Sequence, residues 1–375
     1  MKILIAGDFV PRRRTAVQID AGDYSSLEQV KPIIQAADYA IVNFESPVMT
    51  REALPIKKTG PNLRCTESAM KCVAQSGFKC VTLANNHFFD YGQIGVEDTI
   101  DSCEKHHIDF VGGGKTQAEA EQVLFKNING QILAIINCCE HEWSIATIKH
   151  GGSNPLDIIS VCRAIQTAKQ KAEFVLVIIH GGTEGYNLPT PRMKQTYRFF
   201  VEQGADAVVN HHQHCFSGYE VYQGKPIFYG LGNFCFDKLK ASDDKLWEEG
   251  FMVELQFDKT IGFKLYPYVQ CDEKEPVVRL IEKRGGFEDA ISSLNCIIAD
   301  DSLLNEQFER LSMQRKKLAK DILSPYSFGI LTKLYSKGLL PSFASDKRMR
   351  KLCAFIQCES HRDILLSVLN THLKK

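Results

Sequence analysis

Short apolar runs alternate with longer amphipathic stretches through about residue 235. The runs KILIAG (2–7), YAIVNF (39–44), CVTLAN (80–85), ILAIIN (132–137), FVLVII (174–179) and AVVN (207–210) are continuous and rich in β-branched residues. Strands covered on both faces read this way, because neither face meets water. Between them, stretches near 26–37, 66–77, 93–107, 155–171 and 190–204 carry helical spacing, with Gly77 and Gly204 placed as C-caps. This alternation predicts an α/β fold with helices on both faces of the sheet.

Turn chemistry adds the hairpins. Asn129-Gly130 and Gln223-Gly224 each separate two strand-like runs, and residues 250–270 predict a third hairpin that closes one edge. The run Gly112-Gly113-Gly114 lacks the Lys and Ser/Thr of a phosphate loop and reads as a flexible turn. Past Gly285-Gly286 the strand pattern gives way to helical spacing (Leu303, Phe308, Leu311, Leu318), broken at Pro325 and Pro341. The expected division is a main domain over 1–285 and a helical C-terminal appendage over 286–375.

Composition narrows the class. With 375 residues and 44% hydrophobic content, the chain can bury a large core without disulfides. Its charge sums to zero but is unevenly placed. Residues 301–375 hold 14 Lys and Arg against 7 Asp and Glu, a net of +7, which leaves −7 on residues 1–300. An acidic main segment excludes nucleic acid as its partner, since phosphate backbones demand clustered Lys and Arg. The 13 cysteines show no CxxC spacing and read as reduced core thiols rather than a zinc ribbon. MKILIAGD opens a strand, and the longest apolar run, Phe174 to Ile179, is far short of the ~20 residues of a membrane span. A cytoplasmic location is the expectation.

Polar residues collect where the predicted strands end, which is where open α/β sheets place their ligands. Asp8 ends the first strand, and Asn43-Phe44-Glu45 ends the second. Asn85-Asn86-His87, with Asp90 close behind, follows the third. His180 ends FVLVII, with Glu184 nearby, and His211-His212-Gln213-His214 follows AVVN. Imidazole nitrogen, carboxylate oxygen and amide oxygen together suit divalent transition metals. Two ions need a shared carboxylate to offset their repulsion, and Glu45 is a candidate for it. His212 and His214 offer two imidazoles from one loop. Alone, each residue has a plainer reading, as a turn former, a helix cap or a core histidine. Five strand ends together favour a metal site. Arg12-Arg13-Arg14, just after Asp8, offers guanidinium groups to an anionic substrate.

The series GD, NFE, LANNHFFDYG, IIHGGTE, GADAVVNHHQH and YGLGNF resembles the CapA, or poly-γ-glutamate capsule-synthesis, family over roughly residues 1–270. The resemblance implies a calcineurin-like metallophosphatase fold, a four-layer α/β sandwich. It implies one or two divalent ions (Mn, Fe or Zn) held by Asp8, Glu45, Asn86, His180, His212 and His214. His87 would serve the leaving group, oriented by Asp90, while Arg12, Arg13 and Asn233 would face the substrate. Two departures stand out. The family's first motif is D-x-H, where this chain has Asp8-Phe9-Val10, and Gln213 and Gly181 replace its usual proline and tryptophan. The implied activity is a metal-dependent phosphoesterase or amide hydrolase acting on an anionic small molecule or polymer in surface-polymer synthesis. The alternative is a non-catalytic polymer- or partner-binding subunit with a vestigial site. The basic C-terminal region is expected either to contact a membrane or the capsule machinery or to pack against the acidic main domain and neutralise it.

Overall fold

The computed structural model describes residues 1–58, 60–238, 245–282, 285–314, 326, 329–341, 345, 348, 349, 352 and 356. Its strands are β1 (Lys2–Val10), β2 (Tyr39–Phe44), β3 (Cys80–Thr82), β4 (Asp109–Val111), β5 (Gly113–Gly114), β6 (Leu124–Ile128), β7 (Gln131–Cys139) and β8 (Gly152–Ser153). They continue as β9 (Phe174–His180), β10 (Ala207–His211), β11 (Tyr219–Tyr222), β12 (Lys225–Phe228), β13 (Asn233–Phe236), β14 (Glu249–Gln256), β15 (Gly262–Gln270) and β16 (Val278–Leu280). The first helices are α1 (Arg14–Asp20), α2 (Lys31–Ala36), α3 (Glu67–Ser76), α4 (Gly92–Lys105), α5 (Gln117–Ala120) and α6 (Ile158–Lys169). After them come α7 (Pro191–Glu202), α8 (Lys245–Glu248), α9 (Gly285–Ala299), α10 (Asp301–Gln314) and α11 (Gly329–Ser336).

The chain forms two compact units, Met1–Leu304 and Asn305–Lys375. In the second, α11 buries Tyr335, whose ring lies 5.6 Å from that of Tyr326. Besides a two-stranded sheet, β5-β8, the first unit holds two large ones. One runs β16-β15-β14-β1-β2-β3-β4, with β13 also paired to β1, and the other runs β11-β12-β10-β9-β7-β6. Helices α1 to α4 bury Ile19, Ile34, Met70, Val73, Val96 and Ile100 in one core with Leu4, Val42 and Val81 of the first sheet. On the other side α6 and α7 pack on β7, β9 and β10. The facing sides meet each other: Ala84 N, after β3, donates to Asn137 Oδ1 on β7 (2.8 Å), and the ring of Phe174 on β9 lies tilted against that of Phe257 after β14 (5.1 Å). Helices, sheet, sheet and helices make the four-layer α/β sandwich expected from the resemblance.

One irregularity positions the chemistry. Side chains alternate faces along a strand, so Asp8 should follow Leu4 and Ala6 toward the helices. Leu4, Ala6 and also Phe9 lie in the helix-side core, so the phase slips between them. The register of β1 against β2 shifts between Ala6 and Asp8, and against β13 between Asp8 and Phe9. This bulge turns the Asp8 carboxylate inward, as bulges beside functional sites commonly do. Gly7 permits it: a Cβ there would sit 1.9 Å from Gly232 O, the atom that accepts from Asp8 N at 3.1 Å.

The strands and hairpins predicted from the sequence are present, with three differences. β1 runs on to Val10 past Asp8, and β3 stops at Thr82, leaving Leu83 to Asn85 as the approach to the site. The triple glycine is not a flexible turn. Gly112 (φ 81°) has Asn137 Oδ1 2.0 Å from where its Cβ would be, and Gly113-Gly114 form β5, buried against β8. The first unit also extends beyond the boundary expected at 285, because α9 buries Phe287, Ile291, Leu294 and Ile298. Phe287 packs 5.3 Å from Phe216, and Asn295 Oδ1 accepts from Tyr219 N at 2.7 Å. Lys316, Lys317, Lys347 and Lys351 of the basic C-terminal region lie outside the described residues, as do Leu318 and Pro325. Among the described residues no helix is long and apolar enough to cross a membrane.

Replacing Gly7 by Ala forces β1 and the Gly232 turn apart. Chemical denaturation of Gly7→Ala is expected to show a loss of roughly 1–3 kcal/mol, the usual range for overpacking. Unchanged stability would mean that the close approach is not needed.

Candidate metal centre

The carboxyl ends of β1, β2, β3, β9 and β10 converge between the sheets. β2 delivers Glu45, β3 delivers Asn86 and His87, β9 ends in His180, and β10 leads into His212 and His214. The last two sit in the left-handed backbone region, with φ 92° and 55°. Non-glycine residues are strained there, and such strain concentrates at functional sites. All six expected ligands are buried.

Five of them form two groups sharing one carboxylate: Glu45, His180 and His212, and Asp8, Glu45 and His214. His180 Nε2 lies 3.4 Å from Glu45 Oε1, 3.1 Å from Asn86 Oδ1 and 3.0 Å from His212 Nδ1. His214 Nδ1 lies 3.4 Å from Asp8 Oδ2, and its Nε2 lies 3.9 Å from Glu45 Oε1. The carboxylate–imidazole separations exceed the ~2.7–2.9 Å of a charge-assisted hydrogen bond. Instead they suit neighbouring ligand atoms around one ion bonded at ~2.0–2.2 Å. Both oxygens of Glu45 are buried without any hydrogen bond. A carboxylate in that state calls for a cation or a proton. The donor set and the orphaned carboxylate therefore fit a divalent metal.

The electrostatics agree. Burial and the charge of Asp8 push the Glu45 carboxyl well above its ordinary range. Burial also pushes Asp8 up, but His211 and His214 outweigh it and hold that carboxyl well below the usual value. Burial, then the neighbouring imidazoles, holds His180 and His212 down as neutral rings, the form that ligates metals. For His214 the burial effect is overcome by Asp8, which pulls the imidazole upward.

Beside these groups, His87 Nδ1 meets Asp90 Oδ2 at 2.6 Å, the arrangement expected of the pair, and burial holds the imidazole below its usual value. Lys58 is buried there as well, ion-paired to Asp90 and 3.1 Å from His87 Nδ1. Asp90 also ties down the chain that carries Lys58, accepting from Leu63 N at 2.6 Å and, through its backbone oxygen, from Ile56 N at 2.9 Å.

The arginines divide. Arg12 lies over the ring of Phe236 (5.6 Å), which in turn meets His214 edge-on (5.1 Å). Arg13 has φ 57° and a buried Nε without a partner. Arg14 is committed to Asp237 through two bonds of 2.9 and 2.7 Å. Asn233 does not face substrate: it is fully buried, with Oδ1 3.0 Å from His214 Nδ1 and its amide donating to His214 O and Trp247 O. Its place is behind His214.

Four residues were not singled out by sequence. Asn43 Nδ2 donates to Asp8 Oδ1 (2.7 Å) and lies 3.2 Å from His180 Nδ1, joining the two sheets. Glu142 Oε1 lies 3.4 Å from His212 Nε2, and its Oε2 accepts from Asn86 at 3.4 Å. His211 Nδ1 lies 3.4 Å from Asp8 Oδ1. Lys58 is the fourth. Asn43 and His211 stood inside motifs already noted, whereas Lys58 and Glu142 come from irregular loops whose sequence carries no periodic signal.

A family model described as "Bacterial capsule synthesis protein PGA_cap" matches residues 2–238. The chain is 34% identical over 218 residues to the capsule biosynthesis protein CapA of Bacillus anthracis, covering 56% of this chain and 53% of that protein. It is 33% identical over 220 residues to the PGA biosynthesis protein CapA of Bacillus subtilis, covering 58% of each. The chain thus spans little more than half the length of these relatives. Among solved structures, a 5'-nucleotidase from Candida albicans aligns with a TM-score of 0.42 at 9% identity, over 85% of this chain and 58% of that one.

Glu45→Gln and His212→Ala should each weaken divalent-metal binding by more than ~100-fold, beyond what loss of an outer partner costs. Elemental analysis and metal titration measure this, and far-UV circular dichroism should stay unchanged. Variants that lose their fold yet keep metal would show the residues to be structural.

Proposed function

The chain belongs to the bacterial capsule synthesis protein PGA_cap family, and from that premise we propose that it is a metal-dependent hydrolase of surface-polymer synthesis. Its substrate would be a phosphoester or amide of an anionic small molecule or polymer. The observation that carries this reading is the shared, unpartnered Glu45 between two imidazole groups. Asp8, Glu45 and His214 would hold one ion, and Glu45, His180, His212 and Asn86 the other, with Mn, Fe or Zn suited to the mixed nitrogen and oxygen donors. Bound there, such an ion supplies Lewis-acid polarisation of a phosphoryl or acyl oxygen.

The chain's own residues do the rest. Asp90 fixes the His87 ring through Nδ1 and favours its protonated form against burial, so that as the imidazolium His87 can give its Nε2 proton to a leaving group. Lys58 neutralises the buried Asp90 and keeps that pair in place. Arg12, half-buried over Phe236, offers its guanidinium to the substrate's negative charge.

One observation favours the second reading, a binding subunit with a reduced site. Val10, two residues after Asp8, packs with Leu63, Phe236 and Trp247 rather than supplying an imidazole. The Asp8 group would then hold its ion more weakly than the Glu45–His180–His212 group.

Purified without chelators, the protein should carry one or two equivalents of Mn, Fe or Zn. In a phosphoesterase or amidase screen, His87→Ala should lower turnover by ~10²–10⁴-fold with metal content retained. Metal uptake without turnover on any substrate class supports the binding subunit, and absence of transition metal removes the hydrolase reading.

The +7 segment 301–375 supports a further contact, with an anionic membrane surface. Basic residues near such a surface gain about 1 kcal/mol each. Co-sedimentation with anionic vesicles should fall with salt and with Lys316→Glu plus Lys317→Glu. No binding at low salt would end the idea.

A further inference from the structure

His211 is a polar residue that neither three-residue group accounts for. It is buried, and neither ring nitrogen has a hydrogen bond. Leaving both nitrogens without partners costs stability that a phenylalanine of similar size would not. The ring is therefore present for what its polar atoms reach.

Alternation along β10 says where that is. Asn210 points toward α7, accepting from Tyr197 Oη at 2.7 Å. His211 points the opposite way, between the sheets, where its Nδ1 lies 3.4 Å from Asp8 Oδ1. The same oxygen accepts from Asn43 at 2.7 Å. The other oxygen, Oδ2, faces His214 Nδ1 and the backbone N of His212, both at 3.4 Å. One oxygen of Asp8 is thus held from behind, and the other is presented to the cluster.

We propose that His211 is a positioning residue of the metal centre. Closing the 3.4 Å gap, its Nδ1–H completes a hydrogen bond to Oδ1 of Asp8 and so turns Oδ2 toward His214 and Glu45. Ligating carboxylates are commonly fixed by such outer hydrogen bonds. Here the grip comes from the first histidine of the His-His-Gln-His run, which is outside both three-residue groups. It stabilises the group that lacks an imidazole at position 10. This inference rests on the metal-centre reading above.

The test uses the full chain, stripped with chelator and titrated with Mn²⁺. Bound ion is read by electron paramagnetic resonance, alongside thermal melting of the metal-free protein. His211→Phe should bind the weaker ion ~10–100-fold less tightly than wild type, without a lower metal-free Tm. Asparagine carries an N–H donor near the position of Nδ1, so His211→Asn should stay within about threefold of wild type. If the phenylalanine variant does not fold, His211→Leu takes its place. Wild-type affinity in His211→Phe overturns the proposal, and so does an asparagine variant as weak as the phenylalanine one. A wild type that takes up no Mn²⁺ brings down the metal centre itself. That outcome is distinct from wild-type uptake that ignores residue 211.

Discussion

Two carboxylates buried side by side between two sheets set the terms for everything near them. Asp8 and Glu45 are both fully inaccessible, and each raises the electrostatic cost of ionising the other. In such surroundings a negative charge survives only with a partner. Asp8 accepts hydrogen bonds from Asn43 and from the backbone N of His212, with the imidazoles of His211 and His214 at 3.4 Å. Glu45 has no partner with hydrogen-bond geometry. The asymmetry means that the protein's own donors stabilise one carboxylate and leave the other for a cation or a proton.

The fold is organised to maintain that arrangement. Parallel strands from both sheets bring their carboxyl ends to one line, so side chains far apart in sequence meet without long loops. Alternation alone would have turned Asp8 into the helix-side core, and the β1 bulge reverses it. The bulge depends on the backbone of Gly232 approaching Gly7, which ties β13 to β1. β13 in turn carries Asn233, which holds His214. The same few residues that shape the strand therefore also set the position of His214 from the opposite sheet.

Much of this was legible in the sequence, for identifiable reasons. Buried strands announce themselves as unbroken β-branched runs, and hairpins by Asn129-Gly130 and Gln223-Gly224, whose positive φ angles the structure contains. The five residues of the two candidate groups, and Asn86, stood at strand ends, where pattern and chemistry coincide. Asn233 was misplaced because a polar residue at a strand edge looks the same in sequence whether it faces a ligand or a histidine. The triple glycine was misread because flexibility and close packing leave the same composition. Lys58 and Glu142 were missed because their contacts are set by irregular loops. The boundary near 285 failed because the helical spacing of α9 does not reveal that its apolar side packs on the main unit.

The charges around the centre bear on how an anionic substrate would be held there. Residues 1–300 carry a net −7, which repels a polyanion at a distance, though salt screens that repulsion beyond about 8 Å. Inside that range the protein's own cations are largely committed: Lys58 to Asp90, and Arg14 to Asp237. Glu142, part-exposed beside His212, adds negative charge at the mouth. Arg12 alone is a modest counterweight. Most of the positive charge able to meet an anionic group would then have to come from ions gathered by Asp8 and Glu45. In that arrangement the metals serve binding as much as chemistry, and a member of this family could keep its ions for recognition even where turnover is lost.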